Sequence, residues 1–245
     1  MPKETSLISG FSGSDSKMVD KFLQKLIPHL VESEYLIVGG LAIRYQLHKH
    51  GVSYPIGDFN DLDLKANSPH AVKPSVTKDF LIYHYHPLKN RSFFIVLVDP
   101  ETKIKIDVFD RTIKEEGFEE IVFHGSKIKV VNIEDQLVKT VFDIQRISQE
   151  NKVDPKQFID TRLLMKVADM EKANEIWRDR EYRQYPTTIH EAIDRAEQIY
   201  KEHPEWVVEK PFRHLEPYVC PKCESVSGFP ITPMEEIYKV LGYTE

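Results

Sequence analysis

Cysteine is nearly absent from this chain. Cys220 and Cys223, three positions apart, are the only two in 245 residues, which excludes a disulfide framework. Long apolar runs are missing as well: none approaches the roughly 18 residues needed to span a bilayer. The first 16 residues are polar and lack the apolar centre of a secretory signal. Charge of one sign is not in large excess. A net charge of -6 is too mild to make the whole molecule attract nucleic acid, although a local basic patch stays open. No internal repeat or long low-complexity tract is visible. What remains is an ordinary globular composition, 41% hydrophobic and 29% charged, in a chain long enough for one large domain or two modest ones. A soluble, cytoplasmic protein without membrane association is the expectation.

Residues 1–14 are rich in Ser and Gly and are expected to form a loose arm. Over 17–31, Met18, Val19, Phe22, Leu23, Leu26, Ile27, Leu30 and Val31 recur at helical spacing, and Asp15 or Ser16 offers a cap. Tyr35-Leu36-Ile37-Val38 reads as a buried strand that runs into Gly39-Gly40, and 41–48 reads as a short helix. Further strands are predicted at 80–85, 93–98 and 104–109, the last two forming a hairpin. A short strand pair within 120–131 closes this half. From Asn132 the period changes to helical, with Asn132 as a cap and Asp135 at the third helical position. Helical patterns continue over 155–168 and 188–203. The expected organisation is therefore an arm (1–14), an α/β domain (15–131) and a mostly helical C-terminal domain (132–245) carrying a Cys-Pro-Lys-Cys turn.

The chemistry is concentrated in Asn60-Asp61-Leu62-Asp63-Leu64. In a strand, residues i and i+2 share a face, so Asp61 and Asp63 present their carboxylates side by side while Leu62 and Leu64 turn into the core. Two unit charges about 4 Å apart repel by roughly 4 kcal/mol at an effective dielectric of 20. A divalent cation relieves this, and an all-oxygen site suits magnesium or manganese. Asp107, in Ile106-Asp107-Val108, projects from the polar face of a later strand in the same way.

In this order, Val38-Gly39-Gly40, the Asp61/Asp63 strand and Ile106-Asp107-Val108 resemble the nucleotidyltransferase superfamily related to DNA polymerase β. Within it the chain is most similar to minimal bacterial and archaeal members, including the toxins of type IV toxin–antitoxin systems, which share the opening seen here in Gly39-Gly40-Leu41-Ala42. The resemblance covers about residues 35 to 165. It implies an α+β fold, with a mixed β-sheet nucleotidyltransferase core flanked by helices and followed by the helical domain. It also implies that Asp61, Asp63 and Asp107 hold two metal ions (Mg2+ or Mn2+), with a nucleoside triphosphate as donor. Gly39 and Gly40 would meet its phosphates, and Lys139, near the start of the helix after Asn132, would contact them too. Two departures stand out. Leu41 replaces a Ser or Thr common in relatives, and Gly57-Asp58-Phe59-Asn60 lacks the Arg that toxins carry before the Asp pair; Arg44 is a substitute cation. Transfer RNA as acceptor and an antitoxin partner follow from the company of toxins alone.

Other segments admit two readings. Lys139 can instead form a surface pair with Asp135. Cys220 and Cys223 form half of a zinc knuckle, completed by His214 or His203, or are plain thiols in a turn. The interleaved run from Trp177 to Tyr185 suits base stacking or a solvated helix end. His84 and His86 line the acceptor side of the cleft or pack at a sheet edge. Function classes divide in the same way: a metal-dependent nucleotidyltransferase with an RNA, small-molecule or protein hydroxyl as acceptor, a non-catalytic nucleotide- or partner-binding module retaining the fold, or an interaction protein.

Overall fold

The run Tyr35-Leu36-Ile37-Val38 has no polar residue to turn toward water, and such a strand must be covered on both faces. In this computed structural model all four residues are buried within a seven-stranded sheet. The structure describes residues 6–55, 59–89, 92–110, 117–180, 185–207, 218–219 and 226–227. In chain order the elements are α1 (Gly13–Leu26), β1 (Tyr35–Val38), α2 (Gly39–Lys49), β2 (Asp61–Ala66), β3 (Leu81–Lys89), β4 (Ser92–Val98), β5 (Lys105–Asp110), β6 (Phe118–Phe123) and β7 (Ser126–Val131). Then follow α3 (Ile133–Ser148), α4 (Pro155–Leu164), α5 (Met170–Asp179), α6 (Ile189–Glu202) and the two-residue strands β8 (Tyr218–Val219) and β9 (Val226–Ser227). The fold is α+β.

The large sheet runs β3-β4-β5-β2-β1-β7-β6. It is mixed: β1 is antiparallel to β2 and parallel to β7, and β2 is parallel to β5. One face is covered by α1, whose Val19, Phe22, Leu23 and Leu26 join Leu62, Leu64, Ile106 and Val108 in a single core. Helix α1 begins at Gly13, with Ser12 in the cap position ahead of the expected Asp15 or Ser16, and gives way to a 3-10 turn over Ile27–His29. Pro28 accounts for the early end, because it has no N–H to continue the ladder.

The helical half has its own apolar cluster. Leu137, Val138 and Val141 of α3 pack with Leu164 of α4, Trp177 of α5 and Ile189 of α6, and α2 contributes Ile43 and Leu47. Side-chain caps set the helix starts: Asn132 accepts the Asp135 N–H at 2.9 Å, Asp154 caps α4 and Asp169 caps α5. Thr188 and Glu191 form a reciprocal capping box on α6. Among the described residues no helix is long and apolar enough to cross a membrane.

Two sequence expectations are corrected. Residues 6–12 are no loose arm: Leu7 is 1% exposed and belongs to the main core, with Ile8 and Phe11 packed against it. Gly10 lies so close over α2 that a Cβ would meet the Arg44 carbonyl oxygen at 2.8 Å. Residues 1–5 lie outside the described residues, as do Glu181 to Gln184. Of the two readings of the run from Trp177, the solvated helix end fits the exposed Arg178 and Asp179, and base stacking fails for Trp177. It is 1% exposed, and its indole N–H donates to the Pro186 carbonyl at 2.9 Å. Since Leu7 fills core space, Leu7→Ala is expected to lower unfolding free energy by about 2–4 kcal/mol. Urea denaturation measures this, and an unchanged midpoint would restore the loose-arm picture.

Candidate active site

Strand pairing brings the acidic residues together. Because β2 and β5 run parallel in register, Asp63 stands opposite Asp107 and Asp61 opposite Lys105. Alternation buries Leu62, Leu64, Ile106 and Val108 on the α1 face, so Asp61, Asp63, Lys105 and Asp107 share the other face. Neighbouring strands lie about 4.8 Å apart. Three carboxylates and one ammonium therefore crowd a patch two residues wide.

The turn from β1 into α2 closes one side of that patch. Val38 pairs with Asp63, and Gly39, next in the chain, has a φ of +67°. A Cβ on Gly39 would fall 2.1 Å from Asp63 Oδ2, so glycine is required by both its backbone and its neighbour. The Gly39 N–H donates to Gln136 Oε1 of α3 at 3.0 Å. At Gly40 an added Cβ would come 3.8 Å from Lys156 Nζ, which brings the first turn of α4 to the same corner. Leu41 is fully buried, so no side chain there reaches the patch.

The cations are placed unequally. Lys105 Nζ lies 2.7 Å from Asp107 Oδ2. Lys139 pairs with Asp143 at 2.5 Å while its charge still favours ionisation of Asp63. Asp135, the other acid offered to Lys139, accepts the Gly117 N–H at 3.0 Å and binds Arg180. Arg44 is 7% exposed, its guanidinium 4.7 Å from the Phe11 ring centroid and 4.6 Å from that of Tyr54. Tyr54 donates its hydroxyl to Asp160 Oδ1 at 2.6 Å. The sequence reading missed Lys156, Gln136 and Lys105. The first two follow from helix docking, which no local pattern records. Lys105 was detectable from its shared face with Asp107.

The electrostatics follow from crowding. Burial, then repulsion from Asp61 and Asp107, raises Asp63 to about 7, against the pull of Lys139 and Lys105. Burial also raises Asp107, opposed by Lys105. Burial works against the Lys105 ammonium, yet Asp107, Asp61 and Asp63 together hold its pKa above the ordinary lysine value. Asp107 Oδ1 and Asn60 Nδ2 are buried without a hydrogen-bond partner among the described residues. No three His, Cys, Asp or Glu side chains among the described residues form a ready-made metal cage; Lys105 holds one Asp107 oxygen in this arrangement. An orphaned carboxylate oxygen in a patch of surplus negative charge, whose acidic groups are all carboxylates, nevertheless suits a hard cation of the magnesium or manganese type. The structure thus gathers Asp61, Asp63, Asp107, Gly39 and Gly40 at one corner, with Lys139 near enough to act on Asp63. Arg44 is set between rings. His84 is buried at 4% exposure, whereas the His86 side chain, His214, Cys220 and Cys223 lie outside what is described.

No protein-family model and no curated protein matches this chain. Solved structures similar to it include an antigenic nucleotidyltransferase-like protein from Paracoccidioides brasiliensis, at 15% identity and a TM-score of 0.42 over 80% of this chain and 91% of that one. The antibiotic-resistance factor ANT(2'')-Ia is similar at 13% identity and a TM-score of 0.42, covering 77% and 97%. JHP933 from Helicobacter pylori is similar at 13% and 0.36, covering 79% and 96%. Likeness at this level carries no chemistry, which has to come from the residues.

Folded Asp63 binds its proton more tightly than the unfolded chain does. The metal-free protein therefore loses stability as pH rises from about 4, the unfolded carboxylate value, to about 7. Asp63→Asn should remove that loss and, in chelator at pH 8, be more stable than wild type by on the order of 2 kcal/mol. Thermal melts of both proteins across this range test it; parallel curves would refute it. Gly39→Ala, with a Cβ driven into Asp63, should be destabilising by about 2 kcal/mol or more, read from the same melts.

Proposed function

We propose that this chain transfers a nucleoside monophosphate from a nucleoside triphosphate to a hydroxyl acceptor, with release of pyrophosphate. The observation that carries the reading is the in-register pairing of Asp63 with Asp107, with Asp61 one pleat away, beside a glycine turn that opens a helix. Asp61, Asp63 and Asp107 would hold magnesium or manganese. The chemistry such an ion supplies is charge neutralisation at the phosphates and acidification of the acceptor hydroxyl.

The protein's own groups divide the remaining work. The Gly39 amide is engaged by Gln136, so the triphosphate meets the amides that follow it in the first turn of α2. That helix has no side-chain cap, and its early N–H groups favour an anion. Lys156 and Lys139 approach from the helical half, placing the nucleotide between the two halves. Arg44, fixed between two rings, contributes charge rather than reach. Asp107 keeps Oδ2 on Lys105, its Oδ1 is buried without a donor among the described residues, and on this reading its carboxylate would take the acceptor's proton. The acceptor class is an RNA end, a small molecule or a protein hydroxyl. RNA such as tRNA and an antitoxin partner rest on the family resemblance, and a cytoplasmic setting rests on the composition.

Incubation with each α-labelled nucleoside triphosphate, magnesium or manganese, and total RNA or lysate tests the reading. Label is expected in one acceptor class, with at least a hundredfold loss in Asp61→Ala/Asp63→Ala; full labelling by that variant would reject it. Lys156→Met is expected to raise KM for the triphosphate about tenfold, in line with one lost charge-assisted contact of roughly 1.5 kcal/mol. Steady-state kinetics with varied nucleotide measure this, and an unchanged KM would remove Lys156 from the cradle.

A further inference from the structure

The carboxylate patch contains a positive charge that is already committed to one of its own acids, Asp107. Lys105 precedes Asp107 by one pleat on β5 and stands opposite Asp61 on β2. Its side chain is 25% exposed and that of Asp107 14%, with Nζ and Oδ2 2.7 Å apart. A lysine placed here for solubility would extend into water, where an ion pair contributes little. This one instead folds back into the patch, where burial opposes its charge and three carboxylates sustain it.

The charge balance gives the arrangement its meaning. With all three carboxylates ionised, as in a cation-bound site, one ammonium leaves two negative charges, which a single divalent ion neutralises. With the ammonium removed, three negative charges remain and a second ion becomes favourable. We propose that Lys105 is a built-in cation of the site, occupying the place beside Asp107 that a second divalent ion would take, so that the nucleotide-free protein holds one ion rather than two. It acts as a positioning residue: it fixes Oδ2 and leaves Asp107 Oδ1 as the oxygen without a hydrogen-bond partner among the described residues. The inference rests on the reading of Asp61, Asp63 and Asp107 as a cation site, and its test separates the two.

Manganese chloride is titrated into the full chain without nucleotide, with bound ions counted by calorimetry and by the paramagnetic resonance of free Mn2+. Thermal melts in chelator accompany the titrations. Wild type and Lys105→Arg should each take up one ion. Lys105→Met should take up two, the first bound tenfold or more tighter, since a repelling unit charge a few ångströms away is gone. In chelator at pH 8 it should melt several degrees below wild type, and Asp107→Asn added to it should recover the loss. If Lys105→Met does not fold in chelator, Lys105→Gln purified with Mn2+ takes its place in the titration. Two ions in wild type, or one ion of unchanged affinity in Lys105→Met while Asp63→Asn loses binding, would overturn the role of Lys105 and leave the cation site standing. Equal binding by wild type and Asp63→Asn, or binding by neither, would overturn both.

Discussion

Like charges held on adjacent strands are the constraint around which this molecule is arranged. The parallel register of β2 and β5 places Asp63 against Asp107 with Asp61 beside them, and that register is fixed from the other side of the sheet. Leu62, Leu64, Ile106 and Val108 are buried under α1, and a one-residue slip would send all four to the opposite face. The hydrophobic core thus holds in place an electrostatic arrangement that would not assemble by itself. The proton affinity of Asp63, the inward fold of Lys105 and the glycine beneath the Asp63 carboxylate all follow from it.

The helical half completes what the sheet begins. Gln136 ties α3 to the turn after β1, and Lys156 carries the start of α4 to Gly40. Helix α2 belongs to both halves, since Leu41 and Ala42 enter the sheet core while Ile43 and Leu47 enter the helical one. The carboxylates, the glycine turn and the lysines consequently reach one corner from different cores.

Much of this was legible in the sequence, and the limits have physical reasons. Period-two alternation around Asp61, Asp63 and Asp107 gave the faces of β2 and β5, because alternation is local. The pairing of Asp61 with Lys105 was not legible, since two strands separated by a hairpin carry no local record of their register. The packed segment at 6–12 was hidden because three apolar residues among serines and glycines show no period. Helix α5 was misjudged because the basic residues near its end drew attention from the i, i+4 pair Ala173 and Trp177, which faces the core. Arg44 shows the opposite case. Its place one turn into α2 was legible from the sequence, but the rings that enclose it come from outside the helix, Tyr54 from the loop after it and Phe11 from the segment before α1.

That enclosure makes the amino-terminal segment part of a relay. Phe11 leans on Arg44, Arg44 on Tyr54, and Tyr54 bonds to Asp160 on α4, one turn beyond Lys156 on the same helix. A protease clip or bulky tag at residues 6–12 would thus disturb the setting of Arg44 and, through Tyr54, the helix that carries Lys156. Residues 6–12 are in this way a buttress, packed on the sheet core through Leu7 and leaning on α2 through Phe11 and Gly10.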